Sequence, residues 1–368
     1  MRTELSNLKR IVIKIGSSII DLDHGALVSK LCNQINQYLN KNREILIVTS
    51  GAISQGMRIM DILQRPKDTK KLQSLAALGQ QRLMLMYEKS FSEYSRKTAQ
   101  VLITHNDIND RVRYLNIKGT LEELLVNKII PVINENDVVS TEEIKFGDND
   151  NLASMIANLV NADLMIILTD QKGMYNKNPD HSKDAKLINN IYVDQLNDFD
   201  SDFSTNSDTG TGGFVTKIQA VKRAALSNTY TMIASGLEDN ILNDIFEKDN
   251  VGTLFIPSSK KISAKKQWLD TTDNRGCVII DDGAWNALSN NKSLLLVGVE
   301  NVEGNFQKGD VIQCKNTSSE CIAKGIVNYS SGDVMRMKGM TMNDIKNEYG
   351  DEFNKELIHI DNLIIIET

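Results

Sequence analysis

Aromatic side chains are scarce in this chain, only 5% of 368 residues, and their scarcity removes one class of function. Proteins that track single-stranded nucleic acid stack successive bases on aromatic faces, and too few are present here to dominate a surface. Cationic charge is also short. Forty-two Lys and Arg face 48 Asp and Glu, a net charge of −6, which disfavours general binding to a phosphate backbone. A local basic site for a nucleotide is still compatible with that balance. Cysteine is limited to Cys32, Cys277, Cys314 and Cys321. These form no CxxC pair and have no His-rich neighbours, which argues against structural zinc and against a disulfide framework. The longest apolar runs, such as 164–168 and 363–366, fall far short of the ~18 residues a membrane span requires. No signal peptide precedes Arg10, so the expected location is cytoplasmic, with no membrane partner.

Two catalytic signatures are missing as well. No GxxxxGK[ST] loop occurs, so any nucleotide site is not of the P-loop type. Ser-His-Asp order and Cys-His pairing are absent, and His24, His105, His181 and His359 sit in unrelated polar surroundings. Nucleophilic hydrolase chemistry therefore has little support.

The chain does have the composition of a globular protein, 41% hydrophobic and 24% charged. At roughly 150 residues per domain its length suggests two or three domains. Residues 10–256 alternate apolar β-like runs with helical patterns, the βαβ signature of a largely parallel, doubly wound α/β sheet. Strands are expected at 11–15, 45–49, 101–104, 129–133, 164–169 and 231–234. Leu27, Leu31, Ile35 and Leu39 recur at four-residue spacing, and Leu121, Leu124 and Leu125 repeat the helical pattern. Near Pro257 a polar, Lys-rich connector begins. We expect a first domain over 1–258, a linker over 259–274, a small mainly β domain over 275–354 and a terminal segment over 355–368. Within the β domain, strands are expected at 277–280, 294–297, 311–314 and 322–327, with a helix near 284–288.

Six polar stretches fall where strands end and helices begin, the edge at which open α/β sheets bind ligands. In VIKIGSS at 12–18, Lys14 supplies charge and Gly16 lets backbone N–H groups approach a phosphate; a strand lysine is also commonly a solvated edge residue. In IVTSGAI at 47–53, Ser50 offers a hydroxyl and Gly51 an unobstructed N–H. PVINENDVV at 131–139 and FGDNDNLA at 146–153 gather Asn134, Asp137, Asp148, Asn149 and Asp150 around the start of a helix over 152–160. Capping by Asp148 or Asn149 and a turn at Asn136 and Asp137 account for the same residues. GTGGFVTK at 210–217 brings Thr211, Gly212, Gly213, Phe214, Val215, Thr216 and Lys217 to the start of a helix over 218–225, suited to polyphosphate. LTDQKGMY at 168–175 closes a strand on Thr169 and Asp170, within reach of an adenine or ribose or simply shaping a turn.

Together the two lysines, the glycine turns and the carboxylate cluster make a phosphoryl-transfer site without a P-loop. Such chemistry needs positioning and charge neutralisation above all. No general base is evident. A carboxylate acceptor, with a reference pKa near 4, is already ionised at pH 7 and needs none, which favours an acyl-phosphate product.

These six segments, in this order over residues 10–256, resemble the amino acid kinase superfamily, and INEND followed by GDNDNL resembles its glutamate-phosphorylating branch. The resemblance implies a sheet sandwich of the amino acid kinase type. It implies ATP-dependent phosphorylation of the γ-carboxylate of L-glutamate, giving L-glutamyl 5-phosphate and ADP at the entry to proline biosynthesis. Lys14 and Lys217 would hold the ATP phosphates, with Gly16 and Gly51 donating N–H groups nearby. Ser50, Asp137, Asn149 and Asn134 would bind glutamate, with Asp137 facing the α-ammonium. Asp150 and Asp148 would organise the lysines and Mg²⁺, and Thr169, Asp170 and residues 211–217 would line the nucleotide pocket. Proline as inhibitor and a homo-oligomer, dimer or tetramer, are also implied, with the loop at 107–116 as the place to look for that control. Departures are small: Phe214 stands where Met or another apolar residue is expected, and Ser17 where Thr is also common.

With Asp282-Gly283-Ala284 and the later stretch NVEGNFQKGD at 301–310, residues 276–349 resemble a PUA domain, a module that elsewhere binds RNA. Residues 275–368 hold 9 Lys and Arg against 14 Asp and Glu, a balance of −5, which argues against RNA binding here. Kinases for aspartate, N-acetylglutamate or a nucleotide are the alternatives on the same scaffold, and a nucleotide-sensing RNA-binding protein is the alternative of a different class.

Overall fold

Short apolar runs rich in Ile, Val and Leu become the central strands of a sheet, because a strand flanked by helices on both faces must be apolar on both. The computed structural model describes residues 5, 7–21, 25–140, 149–177, 182, 184–199, 214–257, 269, 274–290, 292–341, 344–345, 348 and 356–366. It divides into two compact units, Met1–Ile262 and Ser263–Thr368.

In the first unit the strands are β1 (Arg10–Ile15), β2 (Glu44–Thr49), β3 (Thr98–Ile103), β4 (Ile130–Glu135), β5 (Leu164–Thr169), β6 (Asn190–Tyr192), β7 (Tyr230–Ser235) and β8 (Thr253–Ile256). They form one sheet in the order β3-β4-β2-β1-β5-β7-β8-β6, parallel except where β7 meets β8. All six expected strands are present. β6 and β8 were not expected: they are three and four residues long, and an antiparallel return leaves no βαβ pattern to read. β3 begins three residues before the expected 101 because it is an edge strand with polar, half-exposed positions.

The helices are α1 (Ser17–Asp21), α2 (Ala26–Asn40), α3 (Ala52–Ile59), α4 (Thr69–Ser92), α5 (His105–Asn109), α6 (Arg111–Val126), α7 (Asn149–Leu159), α8 (Phe214–Ala225) and α9 (Ile241–Glu247). α2 buries Leu31 and Ile35 but only part of Leu27 and Leu39. Four-residue spacing overshoots the 3.6-residue turn, so the ends of that row drift off the core-facing stripe. The segment 107–116, expected to be a loop, is helical across α5 and α6. Thr104 and Asp107 form a reciprocal capping box for α5, and Asp110 then caps α6 through the Arg113 N–H.

α3 and α4 cross with their backbones almost touching. A Cβ on Gly79 would lie 1.9 Å from the Ala52 backbone oxygen, and one on Gly56 would lie 1.9 Å from that of Leu75. This crossing carries Gln80 to a position where it meets Asn134 at the end of β4. Gly79→Ala is therefore expected to lower Tm by roughly 2–12 °C, from about 1–3 kcal/mol of overpacking, as read by calorimetry.

The second unit contains β9 (Gly276–Ile280), β10 (Val299–Gly304), β11 (Val311–Lys315), β12 (Cys321–Ile326) and β13 (Leu363–Ile365), with helices α10 (Asp282–Ser289) and α11 (Ser331–Met337). The sheet order is β10-β9-β11-β12-β13, and only β9 and β11 run parallel. Three expected strands are present, but 294–297 is not one. Leu294 makes a single bridge to Ile358, and Leu296–Gly298 is a 3-10 turn. The strand that follows, β10, buries only Val299 and Val302, so its polar sequence hid it. No helix among the described residues is long and apolar enough to cross a membrane.

Candidate active site

Parallel strands place their carboxyl ends on one edge. Ile15 lies level with Thr49 of β2 and Leu168 of β5, and Val48 lies level with Ile133 of β4. Gly16, Ser50, Gly51, Asn136, Asp137 and Asp170 consequently emerge together. α7 brings its first turn to the same edge, and apart from Asn151 every residue of that helix is buried.

Lys14 is 6% exposed on the central strand β1, which rules out a solvated edge lysine. Its Nζ lies 2.6 Å from Asp150 Oδ1, while Lys217 Nζ, from the first turn of α8, lies 3.2 Å from Asp150 Oδ2. Burial pushes the Asp150 carboxyl up, but the charges of Lys14 and Lys217 and their hydrogen bonds outweigh it and hold the group below the usual carboxylate range. Two buried cations around one buried anion leave a net positive charge, an arrangement that accepts a further anion.

Asn149 is fully buried, and its amide is turned into the site. Its Nδ2 lies 2.8 Å from the Thr49 backbone oxygen, 2.8 Å from Ser50 Oγ and 3.1 Å from Asn134 Oδ1. These tertiary partners explain why α7 starts three residues before its apolar run. Asp137 is 5% exposed at the end of β4. Gly51 has a φ of 103°, and a Cβ there would come within 2.9 Å of Ile20 Cγ2, so the turn after β2 requires glycine. The Gly16 N–H donates to the Leu168 oxygen at 3.3 Å. Thr169 is buried, and its hydroxyl donates to Asp170 Oδ1 at 2.9 Å; Asp170 itself is exposed.

Asp148, Thr211, Gly212 and Gly213 lie outside the described residues, and Phe214 is described only as the first residue of α8. Val215 is 50% exposed, and Thr216 is partly buried.

Several neighbours escaped the sequence. His105, read as isolated, places Nδ1 3.3 Å from Glu135 Oε1 and Nε2 3.2 Å from Asn151 Nδ2. Ser140 also donates to Glu135, and Arg223 of α8 donates to Asn151 Oδ1. Gln80 Oε1 accepts from Asn134 Nδ2 at 2.9 Å. Glu135 at least lies inside the quoted INEND stretch. Gln80 and Arg223 sit on helices whose local pattern carries no signal, and only tertiary packing brings them in.

Residues 9–235 match the amino acid kinase family. The chain belongs to the amino acid kinase family. Residues 276–349 match the PUA domain. Across nearly the whole length, this family member is 43% identical to a glutamate 5-kinase of Thermoanaerobacter sp. (strain X514), over 97% of this chain and 98% of that one. It is 42% identical to a glutamate 5-kinase of Azoarcus sp. (strain BH72), over 99% and 100% of the two chains. It is 40% identical to a glutamate 5-kinase of Hydrogenovibrio crunogenus (strain DSM 25203 / XCL-2), over 98% and 97%.

The residues fit a divalent cation only indirectly. Both oxygens of Asp150 face ammonium groups, and no cluster of three or more His, Cys, Asp or Glu suited to a metal occurs among the described residues.

Proposed function

We propose that the chain is an ATP-dependent glutamate 5-kinase, transferring the γ-phosphoryl group of ATP to the γ-carboxylate of L-glutamate at the first step of proline biosynthesis. The observation that carries this reading is the buried Lys14, Asp150 and Lys217 group, set beside the Ser50, Asn134, Asp137 and Asn149 cluster on one sheet edge. One half of the edge suits a polyphosphate, and the other suits an amino acid.

A carboxylate oxygen of glutamate attacks the γ-phosphorus in line. The new O–P bond forms as the bond to the β–γ bridging oxygen breaks, and the electron pair leaves on ADP. The attacking carboxylate is ionised at neutral pH, with a reference pKa near 4.3, so no protein base is required. Lys14 and Lys217 face the oxygens of the transferring group, whose charge they stabilise throughout, while Asp150 holds the two ammonium groups apart and oriented. Ser50 and Asn149 position the substrate, and Asp137 faces its ammonium. Gly16, Gly51, Thr169, Asp170 and residues 211–217 serve the nucleotide. Mg²⁺, bound with ATP, would neutralise β- and γ-phosphate charge; Asp150 would act on it through the lysines, with Asp148 the remaining candidate ligand.

Proline shares the α-ammonium and α-carboxylate of glutamate, which supports its action as an inhibitor at the Asp137 side. Exposed Leu85, Val138 and Val139 beside that side support a homo-oligomer. We place the enzyme in the cytoplasm, with a connector over residues 259–274 between kinase and PUA-like regions.

The decisive experiment traps the acyl phosphate with hydroxylamine, with glutamate, aspartate and N-acetylglutamate tested in parallel. Hydroxamate from glutamate is expected; its formation from another acid and not from glutamate would overturn the assignment. Asp137→Ala should raise KM for glutamate at least about 10-fold with a smaller change in kcat, since it removes ground-state binding. An unchanged KM would take Asp137 out of the substrate site.

A further inference from the structure

A carbonyl oxygen accepts hydrogen bonds and never donates them, and this fixes the direction of a row of side-chain amides at the substrate edge. Asn149 points one end of its amide at the Thr49 backbone oxygen, 2.8 Å away, so that end must be the NH₂. The same NH₂ reaches Asn134 at 3.1 Å. Asn134 therefore presents its oxygen there and its own NH₂ on the other side, where Gln80 Oε1 accepts at 2.9 Å. Gln80 in turn must direct its NH₂ away from Asn134. Flipping any one of the three amides would set donor against donor or acceptor against acceptor at the next contact.

The two ends of this row differ in character. Asn149 Oδ1, an acceptor, and Gln80 Nε2, a donor, are both buried without a hydrogen-bond partner among the described residues. The Asn149 end belongs to the site already described, next to Asp150. The Gln80 end opens a different question. Gln80 lines a groove of about 480 Å³ between α4 and the ends of β3 and β4, together with Glu135, Asn136, Asp137 and Glu88. The charged residues of that wall are all acidic, Glu88, Glu135 and Asp137, which favours an ammonium group and leaves a carboxylate dependent on a donor. Gln81 and Gln100 also border the groove but are exposed to solvent. Gln80 is the amide whose donor end is enclosed beside Asp137, and an enclosed N–H without an acceptor is unfavourable until something supplies one.

We propose that Gln80 is a specificity-determining residue whose Nε2–H donates to the α-carboxylate of the amino-acid substrate, while Asp137 faces the α-ammonium. The assignment rests on the glutamate kinase reading above. It orients the substrate along the amide row, with its α-carbon end at Gln80 and Asp137 and its γ-carboxylate toward Asn149 and the lysines. An acid lacking a free α-carboxylate then loses a contact that no other enclosed donor on the groove replaces.

Gln80→Glu is nearly isosteric and keeps an acceptor for Asn134, but it exchanges the donor for a negative charge. Kinetics of the full-length chain, read by hydroxamate formation at saturating ATP, would compare L-glutamate with L-isoglutamine, its α-carboxamide. The carboxamide can donate to the introduced carboxylate, whereas the α-carboxylate is repelled. KM for glutamate should rise at least about 10-fold, with KM for ATP within about twofold. The ratio of kcat/KM for glutamate over isoglutamine should fall at least about 10-fold. Gln81→Glu, which places the same charge one residue away, should leave that ratio unchanged. Gln80→Met, which lacks the donor without adding charge, should raise KM for glutamate at least about fivefold, and it carries the test should Gln80→Glu fail to fold. Equal losses on both substrates in Gln80→Glu, the same ratio change in Gln81→Glu, or an unaltered KM in Gln80→Met would each overturn the proposal. A wild-type enzyme that forms no glutamate hydroxamate would instead overturn the kinase reading on which it rests.

Discussion

Lys217→Ala lowers kcat by at least about 100-fold, the size expected for losing one charge aimed at a developing oxyanion, while KM for glutamate changes little. The lysine is 7% exposed and 3.2 Å from Asp150 Oδ2. Its ammonium is thus held at the site by an ion pair instead of sampling solvent. Truncation also takes the Lys14, Asp150 and Lys217 group from a net positive charge to a neutral pair, which removes the attraction for an incoming anion. Helix propensity is not at issue, because alanine is the better helix former. Any loss therefore reports the charge. Steady-state kinetics with both substrates varied checks the claim, and near-normal turnover would make Lys217 an ordinary residue of α8.

The sheet was legible because central strands are nearly continuous apolar runs, and β1, β2, β4 and β5 are buried along almost their whole length. Elements at the rim were not. β3 mixes polar and half-exposed positions, β10 buries only two of its six residues, and β6 and β8 are too short to show a period. The candidate site was legible where it lies close in sequence to strand ends, as at Lys14, Ser50, Asp137 and Asn149. It was illegible where helices deliver residues from the side. Gln80 arrives only because Gly56 and Gly79 let α3 and α4 cross closely, and no local pattern announces a helix crossing. His105 illustrates the converse error: its sequence neighbours are polar and unremarkable, yet it sits between the buried carboxylate of Glu135 and the first turn of α7.

Asp150→Asn removes both proposed contributions of the buried charge group at once, so it should damage stability and turnover together. The substitution leaves Lys14 and Lys217 facing a neutral amide, and breaking a buried pair by removing one partner typically costs about 3–5 kcal/mol. At roughly 2–4 °C per kcal/mol, the ligand-free Tm should fall by roughly 6–20 °C, and kcat by on the order of 10²–10³. The pH dependence has a definite sign. The folded Asp150 carboxyl is held below its ordinary value, so its contribution is complete above the unfolded value near 4 and disappears as pH falls from there through the depressed folded value. The Tm gap between wild type and variant should therefore be full at pH 7 and should narrow below pH ~4. ATP brings negative charge to the same lysines, so a saturating non-hydrolysable analogue should restore more Tm to Asp150→Asn than it adds to wild type. Lys217→Ala should instead split the two, with kcat lost and Tm nearly kept, because it leaves behind a paired Lys14 and Asp150 instead of two cations. If both variants lost activity with Tm unchanged, Asp150 would be acting on the reaction directly and not by holding the lysines.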